Sequence, residues 1–275
     1  MKSLVFAFSL LAAAVSNAQV SAAGAAQAAL DPFARDYIAR LDAAGSGPGP
    51  NTAPISHLVA GLRARGLWDK LAAACLLAGP DSLSGALVPL RADMPTPTAF
   101  NFVAGDYSRA TGLKGNGASK YLTTGLSGTA LAQNSAHLAT WVHEAHVGAV
   151  VGCYIGNART SVAGGAILLS RSGVNPGSLA TQLHGGVDSS VSGGASVGFV
   201  AISRSGGTSY TARRGGSEQI VADASVAPLN RSIHVFRLDQ ELGYATARLS
   251  FYSIGEALDL AQLDALLTTY VGSLQ

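Results

Sequence analysis

The run GLKGNGASKYLTTGL, residues 112–126, gathers Gly112, Lys114, Gly115, Gly117 and Ser119, residue types that can cradle a phosphate. A P-loop requires G-x-x-x-x-G-K-[ST], with the lysine on the β- and γ-phosphates and the hydroxyl on magnesium. Gly112 and Gly117 have that separation, but Ala118 stands where the lysine is required and Lys120 comes two residues late. The continuation KYLTTG reads as a strand, where a phosphate loop would open a helix. Asn116-Gly117 marks instead a tight turn with positive φ between strands.

Three other groups of residues could do chemistry. WVHEAH holds His143, Glu144 and His146, with His137 nearby. The spacing misses H-E-x-x-H, and on a strand His143 and His146 point to opposite faces, so no shared metal is expected. Among the sparse acids of the second half, Asp239 and Glu241 come closest to a paired-carboxylate arrangement for glycoside hydrolysis. DQELG, however, reads as a hairpin turn. Serines are abundant, but no G-x-S-x-G elbow is present. Tyr107, Arg109, Tyr121, Trp141, Tyr154, Arg171, Arg204 and Tyr210 could line a sugar-binding surface, or be ordinary sandwich residues. No catalytic, cofactor-binding or metal-ligating residue is assigned, and the ligand-binding residues stay undefined.

The composition bounds the partners. The chain has 275 residues, a formal charge of +2 and only 12% charged residues. No basic run interleaves with aromatics, so no nucleic-acid footprint is expected. The low charge and a mean hydropathy of +0.29 suit a surface covered by small neutral residues or by other subunits. Cys75 and Cys153 lack zinc spacing; they read either as one disulfide or as two buried thiols. MKSLVFAFSLLAAAVSNAQ carries one lysine, an apolar run from Leu4 to Val15 and the small-x-small site Ser16-Asn17-Ala18. That pattern fits a secretory signal cleaved after residue 18, and equally an apolar arm that anchors the protein in an assembly.

The elements follow from periodicity. Asp31-Pro32 is a helix start, with Asp as N-cap and Pro at the first helical position; Phe33, Tyr37, Ile38 and Leu41 then share a face. After the Gly/Pro linker of residues 45–54, Ile55, Leu58, Val59 and Leu62 form a second apolar stripe. Trp68 and Leu71 continue that packing, AACLLAG reads as a short buried segment, and LSGALVPL as one more helical turn. Residues 31–95 thus read as a small helical module. From Phe100 onward, short alternating runs are broken by Gly, Asn, Asp and Ser. Strands are expected at 101–105, 120–125, 137–145, 149–156, 166–172, 178–185, 196–204, 209–215, 233–239 and 247–255, which predicts a sandwich or barrel. A helical stripe from Glu256 to Tyr270 closes the chain.

Several stretches together resemble a family of virion-associated proteins from tailed bacteriophages and prophages that carry a concanavalin A-like (LamG-type) jelly-roll domain. They are DPFARDYIARLDAA, LVAGLRARGLWDKLAAACLLAG, SLSGALVPL, NFVAGDYSRATGLKGNGASKYLTTGL, QNSAHLATWV and RLSFYSIGEALDLAQLDALLTTYV. The resemblance, which runs from about residue 31 to the end, implies a mainly β fold: an antiparallel β-sandwich at 96–275 with a C-terminal helix, after a helical module at 31–95; residues 1–30 read separately as the signal-like or anchoring arm. It implies a non-enzymatic structural role in a tail, tail fibre or capsid decoration, with no cofactor. The expected partners are other virion subunits, further copies of the chain and a host cell-surface glycan; the expected location is the virion. The signal-like start lies outside the family's usual pattern, and the Asp/Asn calcium ligands of plant-type lectins are not identifiable. A secreted carbohydrate-binding lectin is the first alternative, and a glycan-degrading enzyme the second.

Overall fold

The computed structural model describes residues 30–148, 151–158, 162–170, 178–192, 197–238 and 243–275. The signal or arm reading of residues 1–18 therefore falls outside the described residues. Helix α1 (Pro32–Ala43) starts as its sequence dictates: the Asp31 carboxylate accepts a bond from the Phe33 N–H at 2.9 Å, and Pro32 opens the first turn. Helix α2 (Thr52–Ala64) buries Ile55, Leu58, Val59 and Leu62 on its expected stripe. The single turn α3 (Leu83–Ala86) is capped by Ser82, and α4 (Leu260–Gly272) by Asp259. The last helix starts later than Glu256 because the Glu256 N–H still bonds to the Lys70 carbonyl in strand fashion.

Fifteen strands are described: β1 (Leu71–Leu76), β2 (Thr98–Phe100), β3 (Tyr107–Ser108), β4 (Gly112–Lys114), β5 (Tyr121–Ser127), β6 (Ala136–Glu144), β7 (Gly152–Gly156), β8 (Gly165–Ser170), β9 (Leu179–Gly185), β10 (Ser189–Val191), β11 (Gly198–Arg204), β12 (Ser209–Arg214), β13 (Ser217–Ala222), β14 (Ser232–Val235) and β15 (Arg248–Gly255). The larger sheet runs β13-β12-β11-β6-β15-β4-β3, with β1 also paired to β15; the smaller runs β10-β9-β8-β7-β14-β5-β2. The chain is thus an antiparallel β-sandwich with a small helical piece before it and a helix at its end.

Two buried layers hold it together. Between the sheets lie Leu113, Leu122, Leu138, Val142, Tyr154, Ile155, Val200, Ile202, Val235 and Ile254. On the far face of the larger sheet, Ala74, Ala139, Phe199, Ala201 and Phe251 meet Tyr37, Ile38, Leu58, Leu62, Leu263 and Leu267 from the helices. Strands β6, β11 and β15 are therefore buried on both sides, and three alanines on the helical side let α1, α2 and α4 approach. At about 25 cal/mol per Å² of apolar area removed from water, this double burial supplies much of the fold's driving force.

Two expectations need correction. Leu71–Leu76, read as a buried segment of the helical module, is a strand bonded to β15 from Leu71↔Gly255 to Leu76↔Phe251. Its alanines pack on both faces, so the segment shows no period-two signal. Residues 101–105, expected as a strand, are not one: β2 ends at Phe100, Asn101 adopts φ +60°, and residues 104–106 make a 3-10 turn. There the Asp106 carboxylate accepts from the Val103 N–H at 2.8 Å. Cys75 and Cys153 are two buried thiols and are not joined in a disulfide.

Candidate functional site

The glycine-rich run of residues 112–126 is spent on structure. Asn116 Oδ1 accepts the N–H groups of Ala118, Ser119 and Lys120 at 3.0, 2.9 and 3.0 Å. Amides that would have to face a phosphate already converge on a side chain. Gly117 takes φ +72°, and Lys120 pairs with Asp106.

The histidines do not converge either. His137 is buried, its Nδ1 2.6 Å from the Glu256 carbonyl and its Nε2 3.0 Å from Ser253 Oγ; burial pushes it down to about 4. His146 Nδ1 accepts from the Thr246 N–H at 3.0 Å, while His143 is exposed. Glu144 lies between Lys114 at 2.6 Å and Arg248 at 2.7 Å, and bonds from these two cations hold its carboxyl below the usual range. Asp239 and Glu241, the nearest approach to a carboxylate pair, lie outside the described residues, as does Arg171.

The remaining sugar-surface candidates scatter. Tyr154 and Tyr210 are buried between the sheets. Arg204 is fully buried and donates to the carbonyls of Leu183 at 2.7 Å and Asp223 at 2.9 Å. Trp141 packs against the helical layer, Tyr107 donates to the Pro80 carbonyl, and Arg109 bridges Asp81 and the Gln275 carbonyl at 3.0 Å each. Of this set Tyr121 stands in an aromatic cluster with Phe100.

A different group lines a cleft of about 600 Å³, within the range of small-ligand sites. The first turn of α1 supplies Phe33 and Asp36, three residues apart and hence on one face. The 3-10 turn Trp68–Lys70 after α2 supplies Trp68 and Asp69. The turn after α3 supplies Arg91 and Asp93. That turn is fixed from outside: Arg40 donates to the carbonyls of Pro89 and Leu90, and the Leu90 N–H bonds to the Ala74 carbonyl of β1 at 2.9 Å.

Trp68 is the floor at 4% exposure, and Phe33 the wall at 43%. Their rings meet edge to face, with centroids 5.7 Å apart and planes at 73°. The Arg63 guanidinium lies 4.1 Å from the Phe33 centroid and is anchored to Asp31 at 2.6 Å, so one face of the ring is covered and oriented. Arg91 donates from Nη1 to the Trp68 carbonyl at 2.9 Å, and from Nε and Nη2 to the two carboxylate oxygens of Asp93, each at 2.9 Å. These bonds hold the Asp93 carboxyl below its ordinary range. Asp69 sits 3.9 Å from Arg91, and Asp36 pairs with Arg40 at 2.9 Å. The result is an apolar wall and floor with a rim of oriented oxygens and N–H groups, able to take a flat, hydroxyl-bearing ring by stacking and edge hydrogen bonds.

In sequence, Phe33 and Trp68 stand among the helix-packing residues, and Arg91 and Asp93 in a Pro-rich connection. The cleft joins three segments far apart in the chain. One local signal was present: the charged RAD directly ahead of a Pro-rich run.

No protein-family model matches this sequence, and no curated protein matches it. Among solved structures, the receptor binding domain of the botulinum neurotoxin C/D mosaic serotype superposes with a TM-score of 0.51 at 11% identity, over 74% of this chain and 52% of that one. The botulinum neurotoxin serotype D binding domain gives 0.48 at 10% identity, over 77% and 52%. The NanB sialidase from Streptococcus pneumoniae gives 0.39 at 11% identity, over 55% and 26%. The chain spans about half the length of the neurotoxin domains it matches. The first likeness is one of fold, a shared β-sandwich.

Proposed function

We propose that the chain is a non-enzymatic, glycan-binding sandwich carried on a bacteriophage particle, with the Phe33–Trp68 cleft as its sugar site. The carrying observation is the aromatic wall and floor framed by the Arg91–Asp93 pair. Rigid sheets behind the cleft suit a binding platform whose connecting turns can vary without disturbing the core. Asp93 itself does not suit the proton-donor role of a glycosidase. A glycosidase acid has to hold its proton at neutral pH, which calls for a raised carboxyl; Asp93 is held in the opposite direction by Arg91. The virion assignment rests on the sequence resemblance. Further copies of the chain and other particle proteins would be its neighbours.

Two measurements test the parts separately. In a glycan array read with the purified chain, binding to a neutral saccharide that is lost in Phe33→Ala supports the cleft; binding unaffected by Phe33→Ala, or none at all, rejects it. Mass spectrometry of purified particles detects the chain if the virion role holds, and its absence overturns that role. The signal-like Ser16-Asn17-Ala18 favours one other reading, a secreted lectin. N-terminal sequencing of the mature protein that finds residues 1–18 removed would move the assignment there.

A further inference from the structure

The smaller sheet has one face against the larger sheet and one turned away from it. In β5 Leu122 and Thr124 are buried and Leu122 belongs to the inter-sheet core, so alternation places Tyr121 and Thr123 on the outer face. Phe100 is the direct cross-strand partner of Tyr121, and the rings stack with centroids 4.4 Å apart and planes within 3°. His234 pairs with Thr123 and meets Tyr121 edge-on at 5.6 Å. Onto this ladder the segment after β14 folds back with Arg237 and Tyr244.

The Arg237 guanidinium lies 3.5 Å from the Tyr121 centroid and 6.0 Å from that of Tyr244. A ring and a guanidinium this close cannot share one face, so Tyr121 is held between Phe100 and Arg237. Arg237 is 8% exposed, yet its hydrogen bonding is thin. Nη1 donates to Tyr244 Oη at 3.3 Å and Nη2 lies 3.5 Å from His234 Nε2, while the buried Nε has no acceptor among the described residues. Its contacts among the described residues are these two bonds and the two tyrosine rings. A guanidinium carries five donors, and burying its charge without a counter-ion is costly. Stacking on Tyr121 offsets part of that cost but supplies no acceptor in the plane of the fork.

We propose that Arg237, framed by Tyr121, Tyr244 and Phe100, is a binding site for the oxyanion substituent of an acidic saccharide, a carboxylate or a sulfate. The oxyanion accepts in plane from the two Nη atoms of Arg237, the end-on form of the guanidinium–oxyanion pair. The Tyr244 hydroxyl serves the rim, and the exposed edge of the Phe100–Tyr121 stack faces the sugar ring. The inference rests on the glycan reading for the sugar, whereas the anion contact rests on Arg237 alone. It adds a second site, on the opposite side of the sandwich from the helices, with a different ligand charge.

The test is titration calorimetry of the full chain with three probes: a sulfated disaccharide, its unsulfated counterpart, and sodium sulfate. The expected result is that the sulfated sugar binds more tightly than both others, and weakens by roughly tenfold or more in Arg237→Gln, the loss of a charge-assisted contact. Arg237→Lys, which keeps the charge but loses the fork, falls in between. Should Arg237→Gln fail to fold, Tyr244→Phe and Arg237→Lys carry the comparison, together with the salt dependence of the wild type. Equal affinity for sulfated and unsulfated sugar, or binding unchanged in the Arg237 variants, overturns the proposal while leaving the Phe33 cleft standing. Binding of sulfate ion alone as tightly as the sulfated sugar overturns the saccharide part. No binding of any sugar, neutral or acidic, overturns both sites together.

Discussion

Arg91 and Asp93 face each other fork to fork, with Nε and Nη2 each donating across 2.9 Å to separate carboxylate oxygens. Both side chains belong to one turn, and the remaining Arg91 bond reaches the Trp68 carbonyl. The rim of the cleft and its floor are thus one unit. Asp93 should titrate below the ordinary carboxylate range and return to it in Arg91→Gln, as followed by carboxyl NMR. The pair is present at neutral pH and is lost as pH falls through the depressed value. Sugar binding at the cleft should therefore weaken only in strong acid in the wild type, and at a milder acidity in Arg91→Gln if Asp93 supplies an acceptor.

His137 gives a pH dependence of another kind. Burial lowers its pKa from 6.5 to about 4, so between these values the unfolded chain binds a proton that the folded chain does not. Unfolding free energy then rises with pH. Stability is complete above the unfolded value, falls as pH drops below about 6.5, and stops falling through this residue near 4. The whole effect is about 3 kcal/mol. Denaturant unfolding at a series of pH values should show this slope, and His137→Gln should flatten it.

Leu263 of α4 is fully buried against the helical side of the larger sheet. Leu263→Ala should lower unfolding free energy by about 2–5 kcal/mol, the transfer and cavity cost of a large core truncation. A single cooperative transition in the denaturant curve, shifted to lower midpoint, is the expected readout. Two separate transitions would show that the helical layer unfolds on its own.

Gly112 holds φ +97° at the start of β4, where an added Cβ would stand 2.1 Å from the Leu249 carbonyl oxygen of β15. Gly112→Ala has to shift backbone as well as adopt a strained conformation, and should cost about 1–3 kcal/mol. Gly105 is the control: a Cβ there meets nothing within 4 Å, so Gly105→Ala should leave the melting temperature nearly unchanged.

Burial pushes the Cys75 thiol up to about 12 and that of Cys153 well above its usual value. Neither should react with iodoacetamide in the folded state, and both should react in denaturant. Mass analysis of the alkylated protein reads the count directly.

What the sequence made legible follows from locality. Asp31-Pro32 and the stripes of α1 and α2 act within a few residues, and most strands announce themselves by alternation between turn residues. Strand β1 did not, because a strand covered on both faces has no polar side. Strand β13 did not, because four of its first four residues, Ser217 to Ile220, are exposed and its partner β12 supplies the order. The cleft is a matter of distance in the chain: Phe33, Trp68 and Arg91 meet only after β1 has joined the sheet and Arg40 has fixed the turn at Pro89 and Leu90. The same holds for Arg237, whose Nε meets no acceptor among the described residues, a property of its neighbours in space.

The position of β15 has a consequence for how the protein is made. This strand lies between β6 on one side and β1 and β4 on the other, so the middle of the larger sheet is completed only after every other strand has left the ribosome. Until residue 255 has emerged, β1 and β6 lack the strand that joins them, and the helical layer lacks much of the surface it covers. Long-range pairing of this kind is slow. A nascent chain stalled shortly before β15 should accordingly be cut freely by protease in segments that are protected once synthesis has passed it.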